Sequence, residues 1–179
     1  MDKLEFTQVT TRGGDRGESS LADGERRRKD DYLFEALGTL DELAGYLGVV
    51  RALTDGKTAE FLLAVQKNLQ VISGMAAVPS RSKLFQVSRK IDESEIESLE
   101  REEALLLEEV RISGEFVTPG NTVLSAHVHV ARTICRRAER RVVTCIREQN
   151  HSHLIPAQRY INRLADYLFV LAVLEEQRV

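Results

Sequence analysis

Four arginines and a glutamate are concentrated in HVHVARTICRRAER, the segment from His127 to Arg140. On an α-helix, which turns ~100° per residue, one face of this segment would carry His129, Arg132, Arg136, Glu139 and Arg140. The opposite face would carry Val128, Ala131, Cys135, Ala138 and Val142. Guanidinium groups keep their charge and present a planar fork of donors, so a column of them suits a phosphate chain. The pattern favours a polyanion site, and the alternative is an ordinary solvated helix face.

A second phosphate-compatible element lies near the start of the chain. The segment TTRGGDRGESSL, residues 10–21, has three glycines within five positions, which would let its backbone N–H groups turn toward an anion. Thr11, Ser19 and Ser20 would add hydroxyl donors, and Arg12 and Lys29 would add charge. The segment matches neither a P-loop nor a dinucleotide-binding fingerprint. A flexible tail is the alternative interpretation.

One carboxylate, Asp41, is predicted at the edge of an apolar helix stripe, beside Leu37 and Gly48. An unpaired charge in such a place is costly, so an arginine partner is expected. Arg132 is the candidate, because an ion pair would neutralise both groups and orient the guanidinium. The alternative is an exposed acid in the N-terminal half of a helix, where the helix dipole favours it.

The apolar pattern predicts an all-α fold. Apolar residues recur at i, i+3 and i+4, and three prolines in all leave long stretches free for helices. Five helices are predicted, at residues 31–53, 58–78, 92–111, 122–148 and 156–176. Their short connections indicate an up-and-down antiparallel bundle. We expect a single domain over residues 1–179, in which a leading loop, 1–30, precedes the bundle, 31–179.

Composition excludes several classes of protein. A net charge of −3 and an isoelectric point near 5.9 argue against a general nucleic-acid binder. No run approaches the roughly 18 apolar residues of a membrane span, and the first residues resemble neither a signal peptide nor a transit helix. We therefore expect a cytoplasmic protein that does not bind a membrane. Cys135 and Cys145 would lie ~15 Å apart along one helix and are predicted to be reduced core thiols. The histidines show no zinc-binding spacing.

Six blocks of the chain, in order, resemble the PduO-type ATP:corrinoid adenosyltransferases. The blocks are TTRGGDRGESSL, KDD from Lys29, EALGTLDEL from Glu35, FVTPG from Phe116, HVARTICRRAER from His129 and YINRLADYLFVLA from Tyr160. The resemblance implies a five-helix ferritin-like bundle, of the cobalamin adenosyltransferase kind, with an ordered N-terminal nucleotide-binding loop. It also implies transfer of the 5′-deoxyadenosyl group of ATP to the cobalt of cob(I)alamin, which forms adenosylcobalamin and releases triphosphate.

The resemblance also assigns residues and partners. ATP would be bound by residues of the leading loop: Thr11, Arg12, Gly13, Gly14, Asp15, Gly17, Ser19, Ser20 and Lys29. The adjoining subunit of a homotrimer would contribute Arg136, Arg137, Glu139, Arg140 and Asn162. Arg136 would also act in catalysis, together with the Asp41–Arg132 pair and with Phe116, which would close the lower face of the corrin ring. Mg²⁺ would be held through the ATP phosphates and not by the protein alone. A corrinoid reductase and an adenosylcobalamin-dependent enzyme are the implied partners.

The chain departs from the family pattern at a few positions. Asn121 stands where the family usually has glycine, Ser19 where it often has threonine, and Ala44-Gly45 where it commonly has Asn-Ser. Ala44 and Asn121 bear on corrinoid affinity more than on ATP binding. A non-catalytic ATP or adenosylcobalamin sensor or delivery protein is the alternative function. A purely structural bundle is the third interpretation.

Overall fold

Long α-helices dominate the computed structural model, which describes residues 5–111 and 117–178. In chain order the elements are α1 (Phe6–Val9), β1 (Glu18–Ser20), β2 (Arg26–Arg28), α2 (Tyr32–Ala52), α3 (Gly56–Ala77), α4 (Lys83–Val87), α5 (Glu93–Glu109), α6 (Val123–Glu148), a 3-10 turn (Ser152–Leu154) and α7 (Ile155–Gln177). The five predicted segments correspond to α2, α3, α5, α6 and α7, each within a few residues of its predicted bounds. The all-α class is confirmed. The short helices α1 and α4 and the hairpin of β1 and β2 do not follow from the apolar periodicity.

Helix α6 lies between α2 and α7 and packs on both. Its register against α2 follows from two ion pairs, Arg137 with Glu42 and Arg141 with Glu35. Because the residue numbers rise on one helix as they fall on the other, α2 and α6 are antiparallel. A short connection also makes α6 and α7 antiparallel, and α2 packs against α3 in the same way. These four helices form the body of the bundle.

Helix α5 packs on α7, and the two run parallel. Three arginine–glutamate pairs rise together along both helices: Glu93 with Arg159, Glu100 with Arg163, and Glu109 with Arg178. The long helices still alternate in direction along the chain, because α5 is antiparallel to α3, which precedes it, and to α6, which follows it. The fold is therefore up-and-down along the sequence, although two helices that touch are parallel.

Side chains satisfy the first backbone N–H groups of the helices that carry the candidate site. The Asp31 carboxylate accepts from the Leu33 amide at 2.8 Å at the start of α2, and the Thr122 hydroxyl accepts from the Ser125 amide at 3.0 Å at the start of α6. Pro156 occupies the first turn of α7, where a missing N–H costs nothing. The sequence thus sets where each helix begins.

The apolar face predicted for α6 is the face that packs in the core. Val128, Ala131, Cys135 and Ala138 have no exposed surface, and Val142 is 1% exposed. Both cysteines are free and buried, and burial raises the pKa of the Cys145 thiol to about 11. Among the described residues, no helix combines the length and apolar character that a membrane span requires.

Leu164 on α7 lies at the centre of the core, with no exposed surface. Leu164→Ala should lower the free energy of unfolding by about 3 kcal/mol, because the cavity it leaves can collapse only in part. Urea unfolding at a fixed protein concentration measures the effect. Leu105→Ala, on the exposed side of α5, is the matched control and should change stability by less than about 1 kcal/mol. Equal effects of the two substitutions would contradict this account of the core.

Candidate functional site

The leading segment folds onto the bundle as a small hairpin. Strands β1 and β2 pair antiparallel, with Ser19 opposite Arg27 and Ser20 opposite Arg26. Leu21 at the turn is buried in the main core, and the Ala22 amide donates to the Ala77 carbonyl at 3.4 Å. Of the residues predicted to bind phosphate, Ser19 and Ser20 therefore lie on a folded strand, and Gly17 and Lys29 flank the hairpin directly.

Gly14 and Lys29 are brought together at the open end of this hairpin. A Cβ atom added to Gly14 would lie 2.8 Å from the Lys29 ammonium nitrogen and 3.1 Å from its Cε, so a side chain at this position would displace the lysine. The Lys29 amide also donates to the Gly17 carbonyl at 2.8 Å. The absence of a side chain at Gly14 is thus what lets the ammonium group lie against the loop backbone.

The loop around Gly14 contains two left-handed residues, and its Gly13, Asp15 and Gly17 amides donate to acceptors within the loop. Gly17 has φ +79°, and Arg12 has φ +56°, which is uncommon for a residue with a side chain. The Arg26 guanidinium donates to the Gly13 carbonyl at 2.9 Å and to the Glu18 carboxylate at 3.2 Å. The Thr11 hydroxyl accepts from the Gly13 amide at 3.4 Å. These contacts hold the loop in a defined shape.

Helix α6 presents an arginine column to solvent, with Arg136 and Arg140 one turn apart and both exposed. Within the described parts of the chain, neither guanidinium forms an ion pair, whereas their neighbours Arg137 and Arg141 bind Glu42 and Glu35 on α2. Two charges of the same sign are therefore left unneutralised side by side. Arg137, Arg140, Arg141 and Thr144 line a surface pocket beside the column.

His129 departs from the predicted face, since it is only 4% exposed although the spacing placed it with the arginines. The end of α7 covers this part of α6, and the His129 Nε2 atom lies 3.7 Å from a Glu176 carboxylate oxygen. Burial lowers the pKa of His129, and the nearby Arg132 lowers it further. His129 therefore belongs to the packed end of the bundle and not to the exposed column.

Glu139 on α6 and Asn162 on α7 form a hydrogen bond that joins the two helices beside the arginine column. The Asn162 side-chain amide donates to Glu139 at 3.2 Å, and Gln158 donates to the same carboxylate oxygen at 3.4 Å. The Arg163 guanidinium donates to the Asn162 carbonyl oxygen at 2.9 Å. Two residues predicted to bind ATP from one subunit are thus held together by direct contact.

Arg132 and Asp41 are not brought together within one chain. Asp41 is exposed on α2, and no ion pair between the two is found in the part of the chain that the structure describes. The Arg132 guanidinium lies over the Phe169 ring, 5.9 Å from its centroid, and its buried Nε has no hydrogen-bond partner among the described residues. The expected pair is therefore not a contact within one chain, where Arg132 packs against Phe169 instead.

The two predicted halves of the ATP site also lack a direct link among the described residues of one chain. Among the described residues, no hydrogen bond or ion pair links the leading loop to Arg136, Arg140 or the Glu139–Asn162 contact. The hairpin lies near the C-terminal end of α6, where Gln149 donates to Asp31 at 2.9 Å. Phe116, predicted to close the corrin ring, lies outside the described residues.

Comparison with known proteins identifies the family. The family model for cobalamin adenosyltransferase matches residues 9–175. The chain belongs to this family. It is 40% identical over 173 residues to a corrinoid adenosyltransferase of Citrobacter freundii, a match that covers 94% of this chain and 95% of that protein. It is 36% identical over 172 residues to a corrinoid adenosyltransferase of Bacillus subtilis, covering 92% and 84%.

A solved structure supports the same assignment of the cobalamin adenosyltransferase fold. It is a phenylalanine-to-alanine variant of the PduO-type ATP:corrinoid adenosyltransferase from Lactobacillus reuteri, complexed with cobalamin and ATP. The match has a TM-score of 0.83 and 28% identity, and it covers 94% of this chain and 93% of that one. The family predicted from the six sequence blocks is therefore confirmed.

One cluster in this adenosyltransferase fold was not predicted from sequence. The Glu176 carboxylate, near the end of α7, accepts from the Ser125 hydroxyl at 2.8 Å, from the Gly120 amide at 3.2 Å and from the Asn121 side chain at 3.5 Å. The sequence does contain a pattern that could have predicted this cluster. Glu176 follows the buried Ala172 by four residues and so lies on the same face of α7. A charge on that face requires partners.

Proposed function

We propose that this protein transfers the 5′-deoxyadenosyl group of ATP to the cobalt of a reduced corrinoid, forming adenosylcobalamin and releasing triphosphate. The observation that carries the proposal is the uncompensated Arg136–Arg140 column on α6. On a merely solvated face, carboxylates of α2 could pair with these groups as they pair with Arg137 and Arg141. A column kept free of such pairs is suited to a triphosphate, and the family membership supplies the substrate class.

The chemistry assigns the protein the task of positioning. Cobalt(I) is itself a strong nucleophile, so no protein base or nucleophile is needed. The cobalt–carbon bond forms at C5′ of ATP as the bond from C5′ to the phosphate oxygen breaks, and triphosphate leaves. Negative charge grows on the departing oxygen, and Arg136 would stabilise it electrostatically. Phe116 would exclude water and the lower axial ligand from cobalt.

Mg²⁺ would enter the site bound to the phosphate oxygens of ATP. In residues 5–111 and 117–178, no three His, Cys, Asp or Glu side chains are close enough to hold a metal ion. The donors that the protein does supply, such as Lys29 and Arg136, suit phosphate oxygens and not a cation. The ion would help to neutralise the charge of the leaving triphosphate.

We further propose that the site is completed between subunits of a homotrimer. The leading loop of one subunit would bind the ATP that Arg136, Arg137, Glu139, Arg140 and Asn162 of the next subunit also contact. One feature supports this arrangement: among the described residues of one chain, no hydrogen bond or ion pair links the two halves. Asp41 of a neighbouring subunit is the partner we propose for Arg132. Arg137 would have to exchange Glu42 for ATP.

The reaction also defines the partners. A reductase must supply the electron that forms cobalt(I), and an adenosylcobalamin-dependent enzyme would receive the product. We place these steps in the cytoplasm.

The experiment that tests the proposed function is anaerobic incubation of the protein with ATP, Mg²⁺ and chemically reduced cobalamin. The absorbance should change as the cobalt–carbon bond forms, and the change should require ATP. Omission of ATP is the control. ATP binding without this change would instead support the non-catalytic sensor or delivery protein, and no ATP binding at all would support the structural bundle.

A further inference from the structure

Glu176 stands out because it is a carboxylate buried between two helices, with 8% of its side chain exposed. A buried charge is costly unless several donors surround it. Here the donors come from the turn that precedes α6 and from the first turn of α6 itself. The carboxylate thus joins three parts of the chain: the end of α7, the Gly120–Asn121 turn and the start of α6.

The Gly120–Asn121 turn is bonded directly to Glu176. Gly120 has φ +122°, a conformation that side chains rarely adopt, and its amide points to Glu176 at 3.2 Å. The side-chain nitrogen of Asn121 lies 3.5 Å from the second oxygen of Glu176. Asn121 therefore adds a donor to the cluster.

His129 lies between the Glu176 carboxylate and Arg132. Both ring nitrogens of His129 are buried without hydrogen-bond partners among the described residues, and its Nε2 faces Glu176 at 3.7 Å. Arg132 is three residues further along α6, so it lies on the adjacent turn of the same face. Because residues three apart are neighbours on a helix surface, and the charge of Arg132 is close enough to influence His129, we expect a displacement of His129 to alter the position of Arg132.

We propose that Glu176 is a positioning residue for the corrinoid half of the site, holding the Gly120–Asn121 turn and, through His129, the direction of Arg132. The inference rests on the proposed function, because the corrinoid role of Arg132 does. The next residue of α7 adds a further link, since the Gln177 side chain accepts from the amide of Arg111 at 3.2 Å and donates to its carbonyl at 2.7 Å. The ATP-binding contacts Lys29–Gly14 and Glu139–Asn162 involve none of these residues.

The test compares the KM for reduced cobalamin with the KM for ATP in variants of the full chain. Glu176→Ala should raise the corrinoid KM about tenfold and change the ATP KM less than about twofold. Glu176→Gln keeps an acceptor oxygen for Gly120 and Ser125, so its KM for reduced cobalamin should lie close to that of the unaltered protein. Ser125→Ala removes one donor and should shift the corrinoid KM in the same direction by less. Glu97→Ala, which breaks an exposed pair with Arg101 on α5, is the matched control and should alter neither KM.

A purely structural role would give a different result. The ATP KM would then rise together with the corrinoid KM as thermal stability falls, or neither would change, and each of these results would overturn the inference. If Glu176→Ala does not fold, Ser125→Ala and Glu176→Gln provide the same comparison.

Equilibrium dialysis with cobalamin in the presence of ATP separates the positioning role of Glu176 from the proposed adenosyl transfer. If the unaltered protein binds cobalamin more tightly than the variants yet catalyses nothing, the proposed function fails and the inference stands. If the unaltered protein binds no cobalamin, both fail.

Discussion

Arg136→Lys is expected to leave the bundle folded and to lower the rate of adenosyl transfer about 100-fold. Arg136 is exposed and forms no ion pair among the described residues, so its replacement costs little stability. The catalytic effect follows because an ammonium group is a point charge and cannot give the planar, bidentate contact of a guanidinium. Loss of one such donor costs ~3 kcal/mol in comparable sites. Single-turnover absorbance measurements with saturating ATP and reduced cobalamin give the rate.

The control for this substitution is Arg101→Lys on α5, where an exposed arginine lies 3.7 Å from Glu97. It makes the same chemical change away from the proposed site and should leave the rate unchanged. Near-normal turnover of Arg136→Lys would remove Arg136 from the role assigned to it. Equal losses in both variants would point to a general effect of charge or folding.

Lys29→Ala is expected to raise the KM for ATP roughly 30-fold, because it removes a charge-assisted hydrogen bond to phosphate. Gly14→Ala should raise it in the same direction but less, since the new methyl group would meet the Lys29 ammonium at 2.8 Å and displace it. If Gly14 acts by making room for Lys29, adding Gly14→Ala to Lys29→Ala should have no further effect. Initial rates at varied ATP concentration, with reduced cobalamin saturating, measure all three variants.

Lys67→Ala is the matched control, because it removes an exposed lysine from the middle of α3. Its KM for ATP should equal that of the unaltered protein. Additive effects of Gly14→Ala and Lys29→Ala would show that the glycine contributes to ATP binding independently of the lysine. No effect of Lys29→Ala would remove the leading loop from the phosphate site.

The helices could be predicted because helix formation here depends on local patterns that repeat every few residues. The start of α6 is an example, since Thr122 both caps the helix and precedes its first apolar residue. The hairpin could not be predicted in this way. Its strands are three residues long and read Glu-Ser-Ser and Arg-Arg-Arg, so they carry no alternation of apolar and polar residues.

The candidate site was predictable by residue type but not by contact. The exposed arginines of α6 and the glycines of the leading loop follow from composition and spacing. That Arg137 binds Glu42, 95 positions away, depends on how α2 and α6 pack. Sequence spacing also could not show that the end of α7 covers His129, or that Arg132 and Asp41 do not meet within one chain. Such contacts are set by tertiary packing, which cannot be deduced from helical periodicity.

The parallel arrangement of α5 and α7 has a consequence for local stability. Parallel helices bring like ends of their dipoles together, which is unfavourable. Only Ile96 and Leu99 of α5 are fully buried, and the three arginine–glutamate pairs that tie it to α7 are exposed and weakened by salt. Among the long helices α5 buries the fewest residues, so we expect it to open at a lower free-energy cost than α2, α3, α6 or α7. None of the residues proposed to bind ATP lies on α5, and its one link to them is indirect, through the contact of Glu100 with Arg163 and of Arg163 with Asn162. We therefore expect opening on that side to leave most of the nucleotide site in place.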